Sequence, residues 1–368
     1  MTITSTTWDL EPHTKAKHDI LKEYLGGWFP IIARYETQLV YIDGFAGPGI
    51  YSKGEKGSPV LALDCLMDHT QKDSMVCKGK TISFLFIEKD HDRWETLRKI
   101  VKENYPDIPQ GVEVQIFESE FEKEIEKRMN EMEKIGGCIP PTFCFIDPFG
   151  HSGLPINLIG RMMSNEKCEV LINFMISEIN RWTEVEDDRQ DEFDRLFGLP
   201  DWRKKREIKN PNERRAFLIK LYEGQLQSQG GARFVRSFEM NDKNNQPIYH
   251  LVFGTKHPKG LQVMKKAMYK VDRTGSYRFS DTTHPNQRLI IDYSDEANWI
   301  SEASNLIFEK YKGTKVGANQ IERFVWEETR YVYQKGIINH LRDTGKIVSD
   351  RYGKGKSIPD DAIISFIS

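Results

Sequence analysis

Five short apolar runs, Gln38–Asp43, Thr81–Glu88, Val112–Phe117, Thr142–Asp147 and Glu169–Met175, constrain this chain more than any other feature. Between the first four lie helical segments: Ser58 towards Asp68, Asp90–Tyr105, and Glu120–Lys134. Ser58-Pro59 caps and pre-sets the first turn of the earliest of these. Trp94, Leu97, Val101 and Tyr105 share one side of the second, and Phe121, Ile125, Met129 and Met132 one side of the third. Strands that alternate with helices of this length specify a parallel sheet covered on both faces. An amphipathic helix from about Thr14 to Trp28 precedes the first strand, with Ile20, Leu21, Tyr24, Leu25 and Trp28 at helical spacing. Phe234–Phe238 and Ile248–Thr255, joined through the polar turn Asn241–Asn245, read as an antiparallel edge pair. The expected class is α/β, a Rossmann-like and mostly parallel sheet with an antiparallel edge.

The pattern changes after Tyr311-Lys312-Gly313-Thr314. Asn319–Glu328 and Tyr331–Thr344 read as helices, the second with Val332, Ile337, Ile338 and Leu341 inward. Ile347–Arg351, a turn at Tyr352–Lys356 and Ser357–Phe366 read as a hairpin. A helical pair followed by a glycine-tipped hairpin is the order of a winged helix-turn-helix. The expected domains are 1–305, Rossmann-like, and 306–368, the winged helix.

Composition narrows the classes. A formal charge of −2 over 368 residues excludes a general nucleic-acid coat held by net positive charge. No apolar run approaches the roughly 20 residues of a membrane span, and Met1–Asp9 lacks the basic-then-apolar order of a signal peptide. Cys65, Cys77, Cys138, Cys144 and Cys168 are scattered without a CxxC pair, so they read as reduced core thiols in a cytoplasmic protein with no metal site.

Asp43-Gly44-Phe45-Ala46-Gly47-Pro48-Gly49 closes the first strand. Glycines at the carboxyl end of a first parallel strand let a ligand approach the backbone. The spacing G-x-x-G-x-G differs from the G-x-G-x-x-G of pyrophosphate-binding dehydrogenases, which disfavours a dinucleotide oxidoreductase. Glu88 ends the second strand, where a carboxylate accepts ribose hydroxyls in nucleoside-binding sheets. Glu118 and Glu120, with Phe121 following, stand at the end of the third strand to meet an adenine edge. Solvated acids at strand ends and a turn-capping Asp43 are the plainer alternative.

Asp147-Pro148-Phe149-Gly150 closes the fourth strand at the same sheet edge. The aspartate accepts a hydrogen bond from an exocyclic amine, Pro148 stiffens the turn and leaves carbonyls free, and Phe149 offers a stacking face. Such a group orients an amine lone pair towards an electrophilic methyl carbon, where positioning supplies most of the rate. The alternative is a turn around a buried phenylalanine.

The FAGPG turn, Glu88 and DPFG together resemble a class I S-adenosylmethionine-dependent methyltransferase. DPFG is similar to the D-P-P-Y-type motif of amino-group methyltransferases on nucleic acids, and is closest to its form in tRNA guanine-N2 methyltransferases. Nearly the full length resembles the three-Cys-motif partner protein family. The matching pieces are Pro12–Lys15 with Lys17-His18, Tyr41–Gly49, Ile146–Gly150, Lys259–Met268 and the terminal winged helix. The family name refers to a genomic neighbour with three cysteines of the radical-S-adenosylmethionine type. The resemblance implies S-adenosylmethionine as cofactor, a DNA or RNA substrate and that partner protein. It also implies a place near the cofactor for Lys15, pairing with the methionine carboxylate, although a solvated helix start accounts for Lys15 equally well. One departure is the insertion Ile50–Gly57 before the Ser58 helix. Either it bulges over the ligand with Tyr51 or Lys53 as lid contacts, or the helix starts further from the site.

Asn173 and Glu178, after the fifth strand, are candidates for the target pocket. Arg203, Lys204, Lys205, Arg206, Arg214 and Arg215 follow an acidic stretch at Glu184–Asp194 and fit either a solvated face or a phosphate track. Arg351, Lys354 and Lys356 on the wing add a second basic patch, on a module that also serves in protein interactions. The expected function is S-adenosylmethionine-dependent methylation of an exocyclic amine of a nucleobase by direct in-line transfer. The alternative is a non-catalytic nucleic-acid-binding adaptor with a methyltransferase-like fold.

Overall fold

The computed structural model describes residues 6–77, 79–148, 154–181, 190–273, 275–281, 293–354 and 357–368. The chain divides into two compact units, one of residues 1–267 with 279–282 and one of residues 268–278 with 283–368.

In the first unit, α1 (Pro12–Ala33) leads into β1 (Gln38–Asp43), then α2 (Ser58–Met67), the short α3 (Lys72–Met75), β2 (Thr81–Glu88) and α4 (His91–Asn104). β3 (Val112–Glu118), α5 (Phe121–Lys134), β4 (Thr142–Ile146), α6 (Ile156–Met162) and β5 (Glu169–Phe174) follow. α7 (Ile176–Arg181), α8 (Gln190–Phe197), a 3-10 turn at Pro200–Glu207 and α9 (Pro211–Ser228) lead to the hairpin of β6 (Phe234–Asn241) and β7 (Pro247–Thr255). α10 (Pro258–Val271), whose last four residues belong to the second unit, and β8 (Arg278–Ser280), whose first residue does, come next.

One eight-stranded sheet runs in the order β3-β2-β1-β4-β5-β7-β6-β8. β1 is parallel to β2 and β4, and β4 to β5, while β7 runs antiparallel to both β5 and β6. This is the α/β sheet expected from the sequence, mostly parallel with an antiparallel edge. Successive residues face opposite sides of a strand. Tyr41, Phe84, Phe86 and Phe143 accordingly gather on one face beneath Tyr24, Trp28 and Phe29 of α1. Ile42, Leu85, Ile87, Cys144 and Ile146 face the other side and pack with Phe121 and Ile125 of α5 and Leu218 of α9. The central strands are therefore buried on both faces, and the sequence shows no alternation there.

The second unit carries α11 (Tyr293–Tyr311), β9 (Lys315–Gly317), α12 (Ala318–Glu328), α13 (Lys335–Asp343), β10 (Ile347–Ser349) and β11 (Ile363–Phe366). Its three strands form an antiparallel sheet in the order β10-β11-β9. Trp299, Ile307, Ile321, Val325, Ile337, Leu341 and Ile364 belong to its own core. The expected boundary at 305/306 falls inside α11. The sequence pattern missed β9, whose three residues are too short for alternation to register.

Cys144 and Cys168 are buried, but Cys77 and Cys138 are exposed and not core thiols. Cys77 follows α3 and Cys138 follows α5, and neither lies on a strand. Among the described residues no helix is long and apolar enough to cross a membrane.

Candidate active site

The chain runs outward from β1 through β2 to β3 and then returns to place β4 on the other flank of β1. Open sheets bind ligands outside the carboxyl ends of their strands at such a reversal. A cavity of about 320 Å³ opens there. Its lining comes from the Phe45–Gly49 loop after β1, Asp147 and Pro148 after β4, Asn173 of β5, Met175 and Glu178 beyond it, and Ile248-Tyr249 of β7. Trp8, His13, Thr14 and Lys17 close it from the segment before α1 and from α1 itself.

The loop backbone explains its glycines. Gly47 has φ 62° and Gly49 φ 77°, a region that side chains rarely adopt. A Cβ on Gly44 would lie 2.9 Å from the Phe121 ring, and one on Gly49 would lie 2.7 Å from Leu97 Cδ1. Glu88 braces this loop from below. One of its oxygens accepts the Gly47 N–H at 2.8 Å and the other accepts the Asp90 N–H at 2.8 Å. Asp43 lies beneath the same loop, fully buried, with one oxygen accepting the Phe45 N–H and Oδ2 without a partner. Burial pushes its carboxyl up to about 7, the nearby Asp147 charge adds to this, and Ser58 opposes it.

The insertion Ile50–Gly57 turns back on itself. Ile50 bridges Lys56, the Tyr51 N–H donates to the Glu55 carbonyl, and the Gly57 N–H donates to the Gly49 carbonyl at 2.8 Å. The start of α2 is thereby returned to the loop, and Gly57 and Ser58 line the cavity. Tyr51 also lines it, whereas the exposed Lys53 pairs with Asp9 outside. Trp8 lies over the loop: its ring meets Tyr51 edge-on at 5.8 Å, and Arg93 stands 5.2 Å above it. The Ser52 N–H donates to the Trp8 carbonyl at 2.9 Å. A strap and the insertion thus hold each other across the glycines.

On the opposite wall, Lys17 Nζ donates to Asp147 Oδ2 at 2.5 Å, and Asn173 Nδ2 donates to Asp147 Oδ1 at 2.5 Å. Lys17 and Asn173 are both buried. His18 is buried beside them, and burial first and Lys17 second push its imidazole down to about 3, so it is neutral. Lys17 went unread as a site residue although the sequence carries its signal. It stands three and four residues before Ile20 and Leu21, so it is a charge on the buried stripe of α1. Lys15 falls off that stripe. Its ammonium is exposed and pairs with Asp19, away from the cavity.

Of the other expected cofactor contacts, Gly44 lies at the base of the loop, and Phe45, Ala46, Gly47, Pro48 and Gly49 line the cavity. Glu88 reaches the site only through the loop it braces. Glu118 pairs with His91 and Glu120 with Lys123 on the surface, and Phe121 is core against Phe45. None of these four is among the cavity-lining residues. Phe149 and Gly150 lie outside the described residues, as does Lys356.

The basic stretch separates into structural and exposed members. Arg203 donates to Asp194 at 2.8 Å and lies 4.9 Å over Trp202, while Lys205 is fully buried between Phe193 and Trp202. Both tie the 3-10 turn to α8, Lys205 fully buried and Arg203 half-buried. Lys204 is exposed on Asp201, Arg206 is exposed, Arg214 is half-buried, and Arg215 bonds Asn212 one turn back. In the second unit Arg351 pairs with Asp361, and Lys354 is exposed.

No protein-family model and no curated protein matches the chain. Among solved structures it is similar to Trm1 from Pyrococcus horikoshii in complex with S-adenosyl-L-methionine, at 10% identity and a TM-score of 0.38, over 99% of this chain and 93% of that one. A likeness of this order decides nothing about the chemistry at the cavity.

Proposed function

We propose that the chain binds S-adenosylmethionine at the crevice between β1 and β4 and transfers its methyl group to an exocyclic amine of a nucleobase. The observation that carries this is the apposition, across one cavity, of the glycine loop and the Asp147-Pro148 turn. The residues fit the cofactor: the close approach that Gly47 and Gly49 permit suits a ligand lying on backbone, with the buried Asp43 carboxyl beneath the same loop. Bound there, the cofactor supplies an electrophilic methyl group. Asp147 accepts a hydrogen bond from the target amine and turns its lone pair towards the methyl carbon. The proton that the amine gives up on methylation leaves through the hydrogen bond that Asp147 accepts. Positioning accounts for most of such a rate.

The second unit's order of helix, strand, two helices and two further strands supports a winged helix-turn-helix, which fits a nucleic-acid substrate. In this proposal the exposed Lys354 of the second unit and, separately, the exposed Arg206 of the first are phosphate contacts. A radical-S-adenosylmethionine-type partner protein belongs to the same proposal, with co-purification as its test.

Calorimetric titration with S-adenosylmethionine or its demethylated product tests the cofactor. Saturable binding is expected, and none would leave the adaptor alternative standing. With binding established, Asp147→Ala is expected to abolish transfer while cofactor affinity stays within about threefold, since a group acting only on the transition state leaves ground-state binding intact. Undiminished transfer would remove Asp147 from the reaction.

A further inference from the structure

We infer that Lys17 and Asn173 are positioning residues for the transfer: each holds one oxygen of Asp147, so that the carboxylate is fixed with its remaining lone pairs towards the cavity. This rests on the methyl-transfer reading of the site. The three side chains come from α1, the end of β4 and β5, and meet as one row, with Lys17 Nζ and Asn173 Nδ2 each 2.5 Å from a different carboxylate oxygen. A carboxylate oxygen accepts more than one hydrogen bond, so each keeps capacity for a ligand donor. A free carboxylate at a loop end rotates about its side-chain torsions. One held at both oxygens by buried donors does not, and a misplacement of about 1 Å costs on the order of 100-fold in rate.

The row is also a local charge balance. The groups facing Asp147 are Lys17 and His18 from α1, Tyr41 and Asp43 from β1, Tyr51 from the insertion and Tyr249 from β7, with Glu11, Glu178 and His13, itself paired with Asp281, on the same cavity. Lys15, further along α1, acts on His18 from the exposed side. His18 is neutral, so the buried cation among them is Lys17, which also stands 5.3 Å over the Tyr249 ring. Its removal leaves Asp147 and the buried Asp43 as two acids without a counter-charge, and such acids resist ionising together. The acid limb of the rate profile then moves to higher pH, which a loss of packing alone does not produce.

The decisive experiment is single-turnover methyl transfer at saturating S-adenosylmethionine, from pH 5 to 9, to single-stranded oligonucleotides carrying amine-bearing bases. Cofactor affinity is measured separately by calorimetry, and folding by thermal melting. Lys17→Met is expected to slow transfer about 10- to 100-fold and to move the acid limb up by about one pH unit, with Lys17→Arg recovering most of both. Asn173→Leu is expected to slow transfer similarly, without moving the limb. Cofactor affinity should change less than about threefold in each. A rate loss uniform across pH for Lys17→Met, or one that Lys17→Arg fails to relieve, would overturn the role of Lys17. Loss of cofactor binding in the variants would make these residues ligand contacts and overturn it too. If Lys17→Met does not fold, the Asn173→Leu rate decides: a wild-type rate there overturns the proposal. Failure of the wild-type protein to bind cofactor would instead overturn the methyltransferase reading itself.

Discussion

Glu88, at the carboxyl end of β2, accepts the backbone N–H of Gly47 at 2.8 Å, so the second strand fixes the conformation of the turn that follows the first. Its other oxygen takes the Asp90 N–H and so ties the start of α4 to the same carboxylate. An acid in this place is expected from sequence to face a ribose. The structure gives it a prior task.

Glu88→Ala leaves the buried Gly47 N–H and the more accessible Asp90 N–H without their acceptor, and an unmet buried group costs about 1–3 kcal/mol. The variant is expected to melt several degrees lower and to bind S-adenosylmethionine at least about tenfold more weakly, because the loop no longer holds its shape. Glu88→Gln keeps one acceptor and should fall between. Thermal melting and calorimetry on the three proteins read both effects, and an unchanged melting temperature in Glu88→Ala would show that the brace is not formed.

The glycines separate by position. Gly49→Ala combines a left-handed backbone with a Cβ 2.7 Å from Leu97, whereas Gly54, at φ 87°, has nothing within 4 Å. The left-handed penalty alone is roughly 1–2 kcal/mol, so Gly54→Ala is expected to cost about that and Gly49→Ala clearly more. Denaturant unfolding of both variants measures the difference, and equal losses would mean that Leu97 yields freely.

Much of this was legible in the sequence. The five strands, the helices after β1, β2 and β3, and the antiparallel pair all follow from buried runs and helical spacing, because those patterns record burial directly. The Asp43–Gly49 turn and Asp147 were legible for a different reason: glycine runs and a proline after an acid have few other uses at strand ends. The role of Lys17 is not legible, because pairing with a residue 130 positions away leaves no local mark beyond a charge on an apolar stripe. Arg203 and Lys205 fit a solvated face or a phosphate track by sequence, since composition does not distinguish a cation packed on a turn from one in water. The return of Gly57 to Gly49 was equally hidden, because it depends on backbone bonds within the insertion.

Asp43 gives a pH dependence with a definite sign. Its carboxyl is raised by burial to about 7 in the folded chain from 3.8. The folded state therefore holds a proton more tightly than the unfolded state, and stability falls as pH rises from about 4 to about 7 and is level above. The shift corresponds to a cost on the order of 4 kcal/mol at pH 8. Asp43→Asn removes the titrating group, so the variant's melting temperature is expected to lack this decline. A cationic ligand near Oδ2 favours the ionised form, so S-adenosylmethionine affinity should rise between about pH 6 and 8 in the wild-type protein and stay flat in Asp43→Asn. Parallel pH profiles for the two proteins would mean that Asp43 does not titrate in this range.

Arg203 and Arg206 are expected to behave oppositely despite standing three residues apart. Arg203 is bound to Asp194 and stacked on Trp202, so Arg203→Ala should lower the melting temperature and leave the salt dependence of oligonucleotide binding unchanged. Arg206 is exposed. Arg206→Ala should leave the melting temperature alone and reduce the slope of log affinity against log salt by about one, as expected for one lost phosphate contact. A slope change in Arg203→Ala, with stability intact, would return Arg203 to the nucleic-acid face.

Trp8 and Tyr51 test whether the strap belongs to the binding event. Trp8 is held by the Ser52 N–H, by the edge of Tyr51 and by Arg93, and its ring stands 3.8 Å from where a Cβ on Gly47 would be. A ligand lying on the loop backbone meets that indole. The expected result is a change in tryptophan fluorescence on adding S-adenosylmethionine that Trp8→Phe largely removes, although other tryptophans remain. Trp8→Ala should speed amide hydrogen exchange in Ile50–Gly57, because the strap's hold on the insertion weakens, and should accelerate cofactor release. Unaltered exchange and release in Trp8→Ala would make the strap a bystander, leaving Gly47 and Gly49 to hold the ligand without a cover.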